Sequence, residues 1–340
     1  MRLMLNKVWL ICSILLLISL SSVNGTSSTD YGAVAALGNA ISGGGGTATT
    51  WSGNDCCTWP GIVCDPDTLR VTDIVLRAED APDRVPTNGK LVWSGDWTGL
   101  ISDSICLLDQ LSTLIVSDWN SISGEIPACI TSLSSLRILD LSGNKISGGI
   151  PSDIGKLSQL IVLNLADNEI FGSLPPSVVN LGSLQLLDIS NNKISGEIPS
   201  EFGEMKMLSS ATLSQNQISG SIPASIATLS RMADLDLSMN QISGSIPEGI
   251  GSTPVLSTLN LCSNQLSGEI PATLFSSKGL SRLNLSRNSL EGKLPDNFCS
   301  ESYFTVLDLS YNKLSGEVPK SIRSVKYMGT LDLSNNNFEA

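Results

Sequence analysis

The chain is 340 residues long, contains no histidine and carries 32 acidic against 20 basic side chains, a formal net charge of −12 at pH 7. The lack of histidine excludes a Ser-His-Asp triad, a Cys-His pair and an imidazole metal site. The acid excess argues against nucleic acid and anionic membranes as partners, because both are bound by clustered Lys and Arg side chains.

An N-terminal targeting segment is the first predicted element. Arg2 and Lys7 precede the apolar run Val8–Leu20, and small residues follow up to Gly25. This succession is typical of a secretory signal peptide. The run is shorter than the roughly 20 residues of a membrane-spanning helix, which disfavours an uncleaved anchor, and no later stretch reaches that length. We therefore predict a signal peptide at 1–25 and a mature protein secreted to the extracellular space or cell wall, with no membrane span.

Residues 26–69 are predicted to form an N-terminal cap. An odd number of cysteines remains after the signal peptide and its cysteine are removed. In an oxidising compartment this predicts at least one unpaired thiol or an intermolecular bond. Cys57 and Cys64 are close enough in sequence to close a small disulfide loop around Trp59. The glycine run Gly43–Gly46 is most simply a flexible loop of this cap.

Residues 70–110 are predicted to be a first, irregular repeat. Val71–Leu76 has the character of a first strand. An insertion at 79–98 follows, with two prolines, two tryptophans and no repeat signature. A loop of this length can be functional or can be surface padding, and both interpretations stay open.

From residue 111 to residue 340 the sequence repeats with a period of 24 residues. The unit Leu136–Pro151 has the form LxxLxLxxNxIxGxIP, and its glycine and proline recur at the same interval. The repeated asparagines are Asn144, Asn168, Asn192, Asn216, Asn240, Asn264, Asn288, Asn312 and Asn336. So many consecutive matches predict a leucine-rich repeat solenoid, a curved α/β solenoid with a parallel β-sheet on its concave face.

Each repeated residue type has a predicted structural task. The L-x-L core alternates with period two, so each unit contributes a short strand whose leucines point inward. The repeated asparagine can donate and accept hydrogen bonds to turn backbone groups that would otherwise be buried unpaired. The unit at 111–135 is one residue too long, because Trp119 precedes Asn120. The residues predicted to fill the core from the convex side are Ile154, Val178, Phe202 and Ile226.

The cap and the repeat resemble a known family. Asp55–Trp59 followed by Gly61–Asp65 resembles the N-terminal cap of plant extracellular leucine-rich repeat proteins, and the Ser-Gly-x-Ile-Pro unit is similar to their plant-specific repeat subclass. Polygalacturonase-inhibiting proteins are similar in cap, repeat class and length. The segments that resemble the plant DNA-damage-repair/toleration leucine-rich repeat proteins are Arg70–Ile74, Ser117–Trp119, Ile126–Leu133 and Leu136–Leu141. The resemblance implies a secreted or wall-associated recognition protein without chemistry of its own.

The same resemblance bears on the remaining cysteines. Family members usually carry an upstream cysteine that pairs with the first cysteine of the doublet; this chain has none there, so Cys56 is the expected odd thiol. Cys106 and Cys129 recur in the DNA-damage-toleration relatives and lie one coil apart, within disulfide reach, although they differ by two positions in the repeat frame. Free thiols are also expected at Cys262 and Cys299.

The chain departs from the family at its end. The last repeat stops at Asn336–Ala340, without the capping segment and cysteine pair that the family normally has. We therefore expect a truncated last repeat and no C-terminal cap. Such an end would leave Leu331, Leu333 and Phe338 near an open sheet edge.

The solvent-facing positions of the concave strands form the predicted ligand-binding surface. Their acid-rich stripe suits a basic protein partner, with Trp119 and Tyr311 as aromatic residues at its two ends and Trp119 as an anchor. Alternatively, the Asp and Asn side chains only solubilise the sheet and bond across coils. The predicted ligand-binding residues are Asp118, Trp119, Asp140, Asn164, Asp188, Thr212, Gln215, Asp236, Asn260, Asp308 and Tyr311.

Asp308 and Asp332 are the one candidate pair of catalytic carboxylates in the sequence. They lie one coil apart, so their carboxylates could sit about 5 Å apart, as in a retaining glycosidase. Nothing in the sequence indicates a pocket that would raise the pKa of one of them, so we predict a protein that is not an enzyme and uses no metal or cofactor. A sequon at Asn284 predicts N-glycosylation, and a glycan there would cover part of the concave face.

Three functional hypotheses follow. The favoured one is a secreted recognition protein of plant defence that binds a protein or cell-wall ligand, such as a basic cell-wall-degrading enzyme of a pathogen. The alternative is a truncated receptor-like ectodomain that senses peptides or pairs with a receptor kinase. A DNA-damage-toleration role is disfavoured, because an acidic chain with a signal peptide offers no basic face for DNA.

Overall fold

The computed structural model describes residues 26–42, 51–78 and 97–339, and the backbone alone at 85–87 and 90–92. The predicted signal peptide, the run Gly43–Gly46 and most of the insertion at 79–98 lie outside the described residues. The α-helices in the described part are α1 (Ser28–Ile41) and α2 (Ala272–Ser276). No helix among these residues is long and apolar enough to cross a membrane.

The strands are short, as the L-x-L pattern predicts. In chain order they are β1 (Ile62–Cys64), β2 (Val71–Arg77), β3 (Val85–Thr87), β4 (Lys90–Val92), β5 (Thr113–Ser117), β6 (Ile138–Asp140), β7 (Val162–Asn164), β8 (Phe171–Ser173), β9 (Leu186–Asp188), β10 (Lys193–Glu197), β11 (Ser210–Thr212), β12 (Gln217–Ser219), β13 (Asp234–Asp236), β14 (Ser243–Gly244), β15 (Thr258–Asn260), β16 (Gln265–Gly268), β17 (Arg282–Asn284), β18 (Ser289–Leu290), β19 (Tyr303–Asp308), β20 (Ser315–Gly316), β21 (Tyr327–Asp332) and β22 (Asn337–Phe338).

One long sheet runs through the molecule, in the order β1-β2-β5-β6-β7-β9-β11-β13-β15-β17-β19-β21. Only β1 is antiparallel to its neighbour; the other pairs are parallel and in register, for example Leu139 opposite Leu163 and Leu163 opposite Leu187. These leucines are fully buried, because alternate residues of a strand point to opposite faces. The predicted α/β solenoid with a parallel sheet is confirmed.

Short 3₁₀ helices, rather than α-helices, make up most of the convex side. They are Cys56–Thr58, Asp103–Leu107, Ala128–Ser132, Ile154–Lys156, Pro176–Asn180, Phe202–Glu204, Ala224–Thr228, Glu248–Ser252 and Lys320–Ser324. A 24-residue coil leaves few residues for this side, and a 3₁₀ turn covers about 2.0 Å per residue against 1.5 Å in an α-helix. The predicted convex core residues Ile154, Val178, Phe202 and Ile226 are all buried.

The repeated asparagines form a ladder that joins each coil to the preceding one. Asn168 shows the pattern: its Nδ2 donates to the carbonyls of Leu141 (2.9 Å) and Leu165 (3.2 Å), and its Oδ1 accepts from the backbone N–H of Ile146 (2.9 Å). From Asn168 to Asn336 every member makes the equivalent contacts. The predicted task of these asparagines, the satisfaction of buried turn backbone groups, is confirmed.

A second set of strands, which the sequence analysis did not predict, lies just after the ladder. It consists of the small parallel sheets β12-β10-β8, β14-β16-β18 and β20-β22. Each short strand lies at or next to the repeat position that is Ser-Gly in most coils. The glycines of this segment have positive φ, such as Gly196 at +78°, a conformation that costs glycine little. Two layers of strands therefore flank the turn of each coil.

Helix α1 and β1 close the N-terminal end of the solenoid. Asp30 on α1 is fully buried and accepts hydrogen bonds from the guanidinium of Arg70 (Nε, 2.9 Å) and from the backbone N–H of Val71 (2.9 Å). Since Val71 begins β2, this carboxylate fastens the cap to the first parallel strand. The cap disulfide Cys57–Cys64 is present as predicted, with Cα atoms 5.6 Å apart.

The remaining cysteines also follow the sequence-based expectations. Cys106 and Cys129 form a disulfide with Cα atoms 5.9 Å apart. Cys56, Cys262 and Cys299 are free, and Cys56 is buried. Burial raises the pKa of the Cys56 and Cys262 thiols, which keeps them as inert thiols rather than reactive thiolates.

The last strand of the long sheet among the described residues is β21. Its Leu331 is exposed, and Leu333 and Phe338 are partly buried against the core. The absence of a C-terminal cap stays a prediction.

Candidate binding face

Three rows of side chains cover the concave face. Residues two apart on a strand share a face, and in-register pairing aligns equivalent positions of successive coils. The strand-start row is Thr113, Ile138, Val162, Leu186, Ser210, Asp234, Thr258, Arg282, Val306 and Thr330. The strand-end row is Ile115, Asp140, Asn164, Asp188, Thr212, Asp236, Asn260, Asn284, Asp308 and Asp332. The turn row, directly before each ladder position, is Asp118, Gly143, Asp167, Asn191, Gln215, Met239, Ser263, Arg287, Tyr311 and Asn335.

The strand-end row caps the turn of its own coil. In Asp188, for example, Oδ1 accepts hydrogen bonds from the backbone N–H (3.0 Å) and the hydroxyl (2.6 Å) of Ser190. Asn164 accepts from the N–H of Ala166 in the same way (3.2 Å). The other residues with this bond to the N–H two positions later are Asp140, Asp236, Asn260, Asn284, Asp308 and Asp332. Because Asn does this as well as Asp, the turn needs the acceptor oxygen and not the charge.

Burial and neighbouring charge separate the members of this row. Burial raises the pKa of Asp188 above its ordinary value, and the like charges of Asp167 and Asp236 add to this effect. Asp332 accepts the equivalent hydrogen bonds from Ser334, and these bonds outweigh the smaller effect of its desolvation, so its pKa is lowered. The two hydrogen bonds from Ser190 offset only part of this effect on the pKa of Asp188.

The turn row adopts the left-handed backbone conformation in every coil. Its φ values run from +50° at Asn191 to +66° at Gly143. This region costs residues with a Cβ about 1–2 kcal/mol, so a row in which nearly every position is non-glycine carries repeated local strain. Backbone strain of this kind is concentrated at functional sites in proteins.

The turn row carries large exposed side chains on the concave face. Met239 is 53% exposed and Tyr311 is 47% exposed. The guanidinium carbon of Arg287 lies 4.4 Å from the ring centroid of Tyr311, a cation–π contact. The predicted binding set omitted Met239 and Arg287, although each can be read from the sequence as the residue before a ladder asparagine.

Trp119 is not an exposed anchor, so that expectation was wrong. Its side chain is 8% exposed and stacks on Trp97, with ring centroids 4.3 Å apart. Its Nε1 donates to the carbonyl of Leu76 (2.8 Å). In the next coil, Nδ2 of Asn144 donates in the same way to the carbonyl of Val116 (2.8 Å), which pairs with Leu76 in the sheet. Trp119 thus takes the ladder position of its coil.

Two neighbours of Trp119 show the consequences of the extra residue in its coil. Asn120 is pushed out of the ladder to an exposed position with a positive φ of 56°. Asn144, at the first regular ladder position, is buried and its Oδ1 has no hydrogen-bond partner. Trp97, near the end of the insertion, is itself buried in the core, where it stacks on Trp119.

Charge is unevenly distributed along the concave face. Between β5 and β15 the three rows contain no Lys or Arg. The carboxylates in this stretch are Asp118, Asp140, Asp167, Asp188, Asp234 and Asp236. Basic side chains first enter the rows at Arg282 and Arg287, one coil beyond β15. The predicted residues Asn164, Thr212, Gln215 and Asn260 lie on the acidic stretch, whereas Asp308 and Tyr311 lie beyond it.

Cross-coil bonds account for a small part of the acid stripe. Asn191 donates to Asp167 (2.6 Å), and Asn260 donates to Asp236 (3.1 Å). The aspartates of the strand-end row use only Oδ1 for the turn, so Oδ2 takes no part in that bond. The face can therefore form charge-assisted hydrogen bonds with cationic groups while its turns stay intact.

The arrangement offers little for catalysis or metal binding. Asp308 and Asp332 are each bonded to the serine of their own turn. The pKa of Asp332 is lowered, which is opposite to what a general acid requires. Among the described residues no group of three metal-ligating side chains comes together. Asn284 is half-buried on β17, and its Oδ1 accepts from Ser286; its glycosylation stays a prediction.

Comparison with known proteins agrees with this architecture. A DNA damage-repair/toleration protein of Arabidopsis thaliana is 52% identical over 101 residues, which is 29% of this chain and 26% of that protein. A polygalacturonase inhibitor of Vitis vinifera is 31% identical over 94 residues, 27% of this chain and 23% of the inhibitor. These matches span about a quarter of the curated relatives.

A solved structure is similar over most of the chain. It is the leucine-rich repeat ectodomain of the Arabidopsis thaliana membrane receptor kinase GASSHO1/SCHENGEN3 in complex with CASPARIAN STRIP INTEGRITY FACTOR 2. It superposes with a TM-score of 0.80 at 30% identity, and the match covers 92% of this chain and 36% of the ectodomain. Family models for a leucine-rich repeat region and for leucine-rich repeats match residues 114–237, 232–253 and 254–314, together more than half of the chain. The chain belongs to the leucine-rich repeat family.

Proposed function

We propose that the protein is a secreted, non-catalytic recognition protein of the plant cell wall that binds a basic protein through its concave face. Its target in this proposal is a cell-wall-degrading enzyme of a pathogen, which it inhibits. The similarity to a polygalacturonase inhibitor supports the choice of target.

The observation that carries the proposal is the acidic stretch between β5 and β15. Six carboxylates lie there on three aligned rows without a single basic side chain. A basic partner would relieve the repulsion around Asp188 and would gain association rate from the acidic field. The rigid, in-register sheet presents these groups without reorganisation on binding, which lowers the entropic cost of association.

Inhibition of a fungal polygalacturonase tests the proposal. Reducing-sugar release from polygalacturonic acid would be measured with increasing amounts of purified protein. We expect inhibition that weakens as salt rises, and on the order of tenfold weaker inhibition by the variant Asp188→Asn with Asp236→Asn. The Asn residues at 164 and 260 show that this substitution keeps the turn bonds.

A matched double variant on the convex side is the control. Glu201→Gln with Glu204→Gln removes the same charge from exposed positions at a 3₁₀ helix and should leave inhibition unchanged. Equal loss in both variants, or no salt dependence, would contradict a concave acidic binding face. If the protein inhibited no cell-wall-degrading enzyme, the proposed target would be wrong.

A receptor-like ectodomain that senses peptides or pairs with a receptor kinase is the second candidate. The exposed Met239, Arg287 and Tyr311 favour it, because large Tyr and Arg side chains often carry binding energy. The ectodomain that superposes on this chain was solved in complex with CASPARIAN STRIP INTEGRITY FACTOR 2. Binding of a peptide or a kinase ectodomain, with no effect on polygalacturonase, would decide for this candidate.

A DNA-damage-toleration role rests on the name of one relative alone. We do not carry it to this chain, because the concave rows between β5 and β15 offer no basic side chain to a phosphate backbone. N-terminal sequencing of protein recovered outside the cell separates the secreted recognition role from a DNA-damage-toleration role, since secretion predicts cleavage after Gly25.

A further inference from the structure

Arg287 and Tyr311 form a cationic and aromatic pair just beyond the acidic stretch, and Arg287 lies in the coil that also carries Arg282. We propose that Arg287, held on the ring of Tyr311, binds a carboxylate side chain of the partner while the acidic stretch takes a basic segment of the same polypeptide. This inference rests on the proposed function and adds what the partner must carry beyond positive charge.

The geometry of the pair fits carboxylate recognition. The guanidinium carbon of Arg287 lies 4.4 Å from the Tyr311 ring centroid. An arginine that stacks on an aromatic ring can still use the N–H groups at the edge of its guanidinium, and this fork matches a carboxylate in a planar, two-bond arrangement. The stacked ring also restricts the long side chain before binding, which reduces the rotamer entropy that binding would otherwise cost.

Arg287 has no competing acidic partner within the described residues. The ion pairs of that part of the chain use Arg70, Lys156, Lys193 and Lys278. Arg287 is exposed and has a left-handed backbone conformation (φ +57°). A charge that served only solubility would not need the ring of Tyr311 beneath it.

The spacing of the charges defines the partner segment. Coils stack at about 4.8 Å, so Asp140 to Asp236 spans four steps, about 19 Å, and Asp236 to Arg287 a further two steps, about 10 Å. An extended polypeptide advances about 3.3 Å per residue. The matching segment therefore has about six residues of basic character and an acidic residue about three positions beyond them.

A pair of synthetic peptides provides the test. Both have blocked ends and a fluorophore, six lysines and two glycines; one ends in aspartate and the other in asparagine. Binding to the full protein is measured by fluorescence anisotropy at low salt. We expect the aspartate peptide to bind about fivefold more tightly than the asparagine peptide, the size of a partly exposed ion pair.

Variants assign this preference to the pair. In Arg287→Gln the ratio of the two affinities should fall to about one, whereas Arg323→Gln, which removes an exposed charge near a convex 3₁₀ helix, should keep it. Tyr311→Phe should keep the ratio and Tyr311→Leu should lower it, because the ring face and not the hydroxyl holds Arg287. A purely structural role of Tyr311 would change the binding of both peptides equally.

The outcomes separate the inference from the proposed function. Equal binding of the two peptides to the unaltered protein, or a ratio that survives Arg287→Gln, overturns the role of the pair and leaves the acidic face in place. Failure of both peptides to bind overturns the acidic face as a site for basic segments, and the inference falls with it.

Discussion

At the residue scale, the strand-end row shows how one chemical type at one repeat position acquires different properties. Asp188 and Asp332 make equivalent hydrogen bonds to the turn of their own coil. Their pKa values move in opposite directions, because Asp188 is buried between coils with like charges and Asp332 is not. The position of a carboxylate in the repeat therefore predicts its hydrogen bond to the turn, but it does not predict the direction of its pKa shift.

These directions predict opposite effects of charge removal on stability. The pKa of Asp188 is higher in the folded than in the unfolded chain, so its favourable contribution is present below the ordinary carboxyl pKa of 3.8 and is lost as pH rises through the raised value. We expect Asp188→Asn to raise the melting temperature at pH 7. This gain should shrink as pH falls through the raised pKa of Asp188 and should be absent below the ordinary value of 3.8, where Asp188 is neutral in both the folded and the unfolded chain.

Asp332 provides the matched comparison. Its lowered pKa means that the ionised form stabilises the fold above the ordinary value and that this contribution is lost as pH falls. Asp332→Asn should therefore lower the melting temperature at pH 7. Calorimetry between pH 3 and pH 7 checks both variants, and shifts of the same sign at pH 7 would refute the assignment.

At the scale of single coils, the asparagine ladder carries the joint between neighbours. Asn216 donates to the carbonyl of Ile189 in the preceding coil (2.9 Å) and accepts from the N–H of Ile194 (2.9 Å), and it is almost fully buried. Removal of its amide leaves the buried N–H of Ile194 without this acceptor and leaves the carbonyls of Ile189 and Leu213 with one asparagine donor each instead of two. A buried group without a partner costs about 1–3 kcal/mol, and each lost hydrogen bond adds to this.

We predict that Asn216→Ala lowers the free energy of unfolding by about 2–4 kcal/mol, measured by urea denaturation. The adjacent Gln217→Ala changes an exposed side chain and should cost less than about 0.5 kcal/mol. Similar losses in both variants would mean that the ladder is not the source of the stability.

The same scale shows how far the sequence carries the structure. The 24-residue period predicts the ladder, the strands and the convex core, because these depend on contacts between equivalent residues of adjacent coils. It does not predict the ladder role of Trp119, which depends on Leu76 and on Trp97 from the irregular insertion. The pairing of Arg287 with Tyr311 was equally hidden, since the residues of the turn row vary from coil to coil and only their stacking brings these two together.

At the scale of the whole molecule, the fold has a nearly one-dimensional organisation. Each coil contacts its neighbours in sequence. Among the described residues, α1 of the N-terminal cap packs on the 3₁₀ helices Cys56–Thr58 and Asp103–Leu107, at the start of the solenoid. In such an array stability is approximately a sum of coil and interface terms. A local change should therefore be felt locally, and the cap is the place where this can be tested.

Asp30→Asn removes the charge that fastens α1 to Arg70 and Val71 while it keeps the size of the side chain. We expect it to destabilise the cap by about 2 kcal/mol, because hydrogen bonds to a buried charge contribute about 1.5–3 kcal/mol. Hydrogen exchange should speed up in residues 26–42 and 51–78 and fade along the first coils, with no change beyond residue 200. Asn216→Ala should give the complementary profile, centred on the middle coils. Faster exchange along the entire chain in both variants would show that the coils unfold as one cooperative unit, and the concave face would then depend on every coil at once.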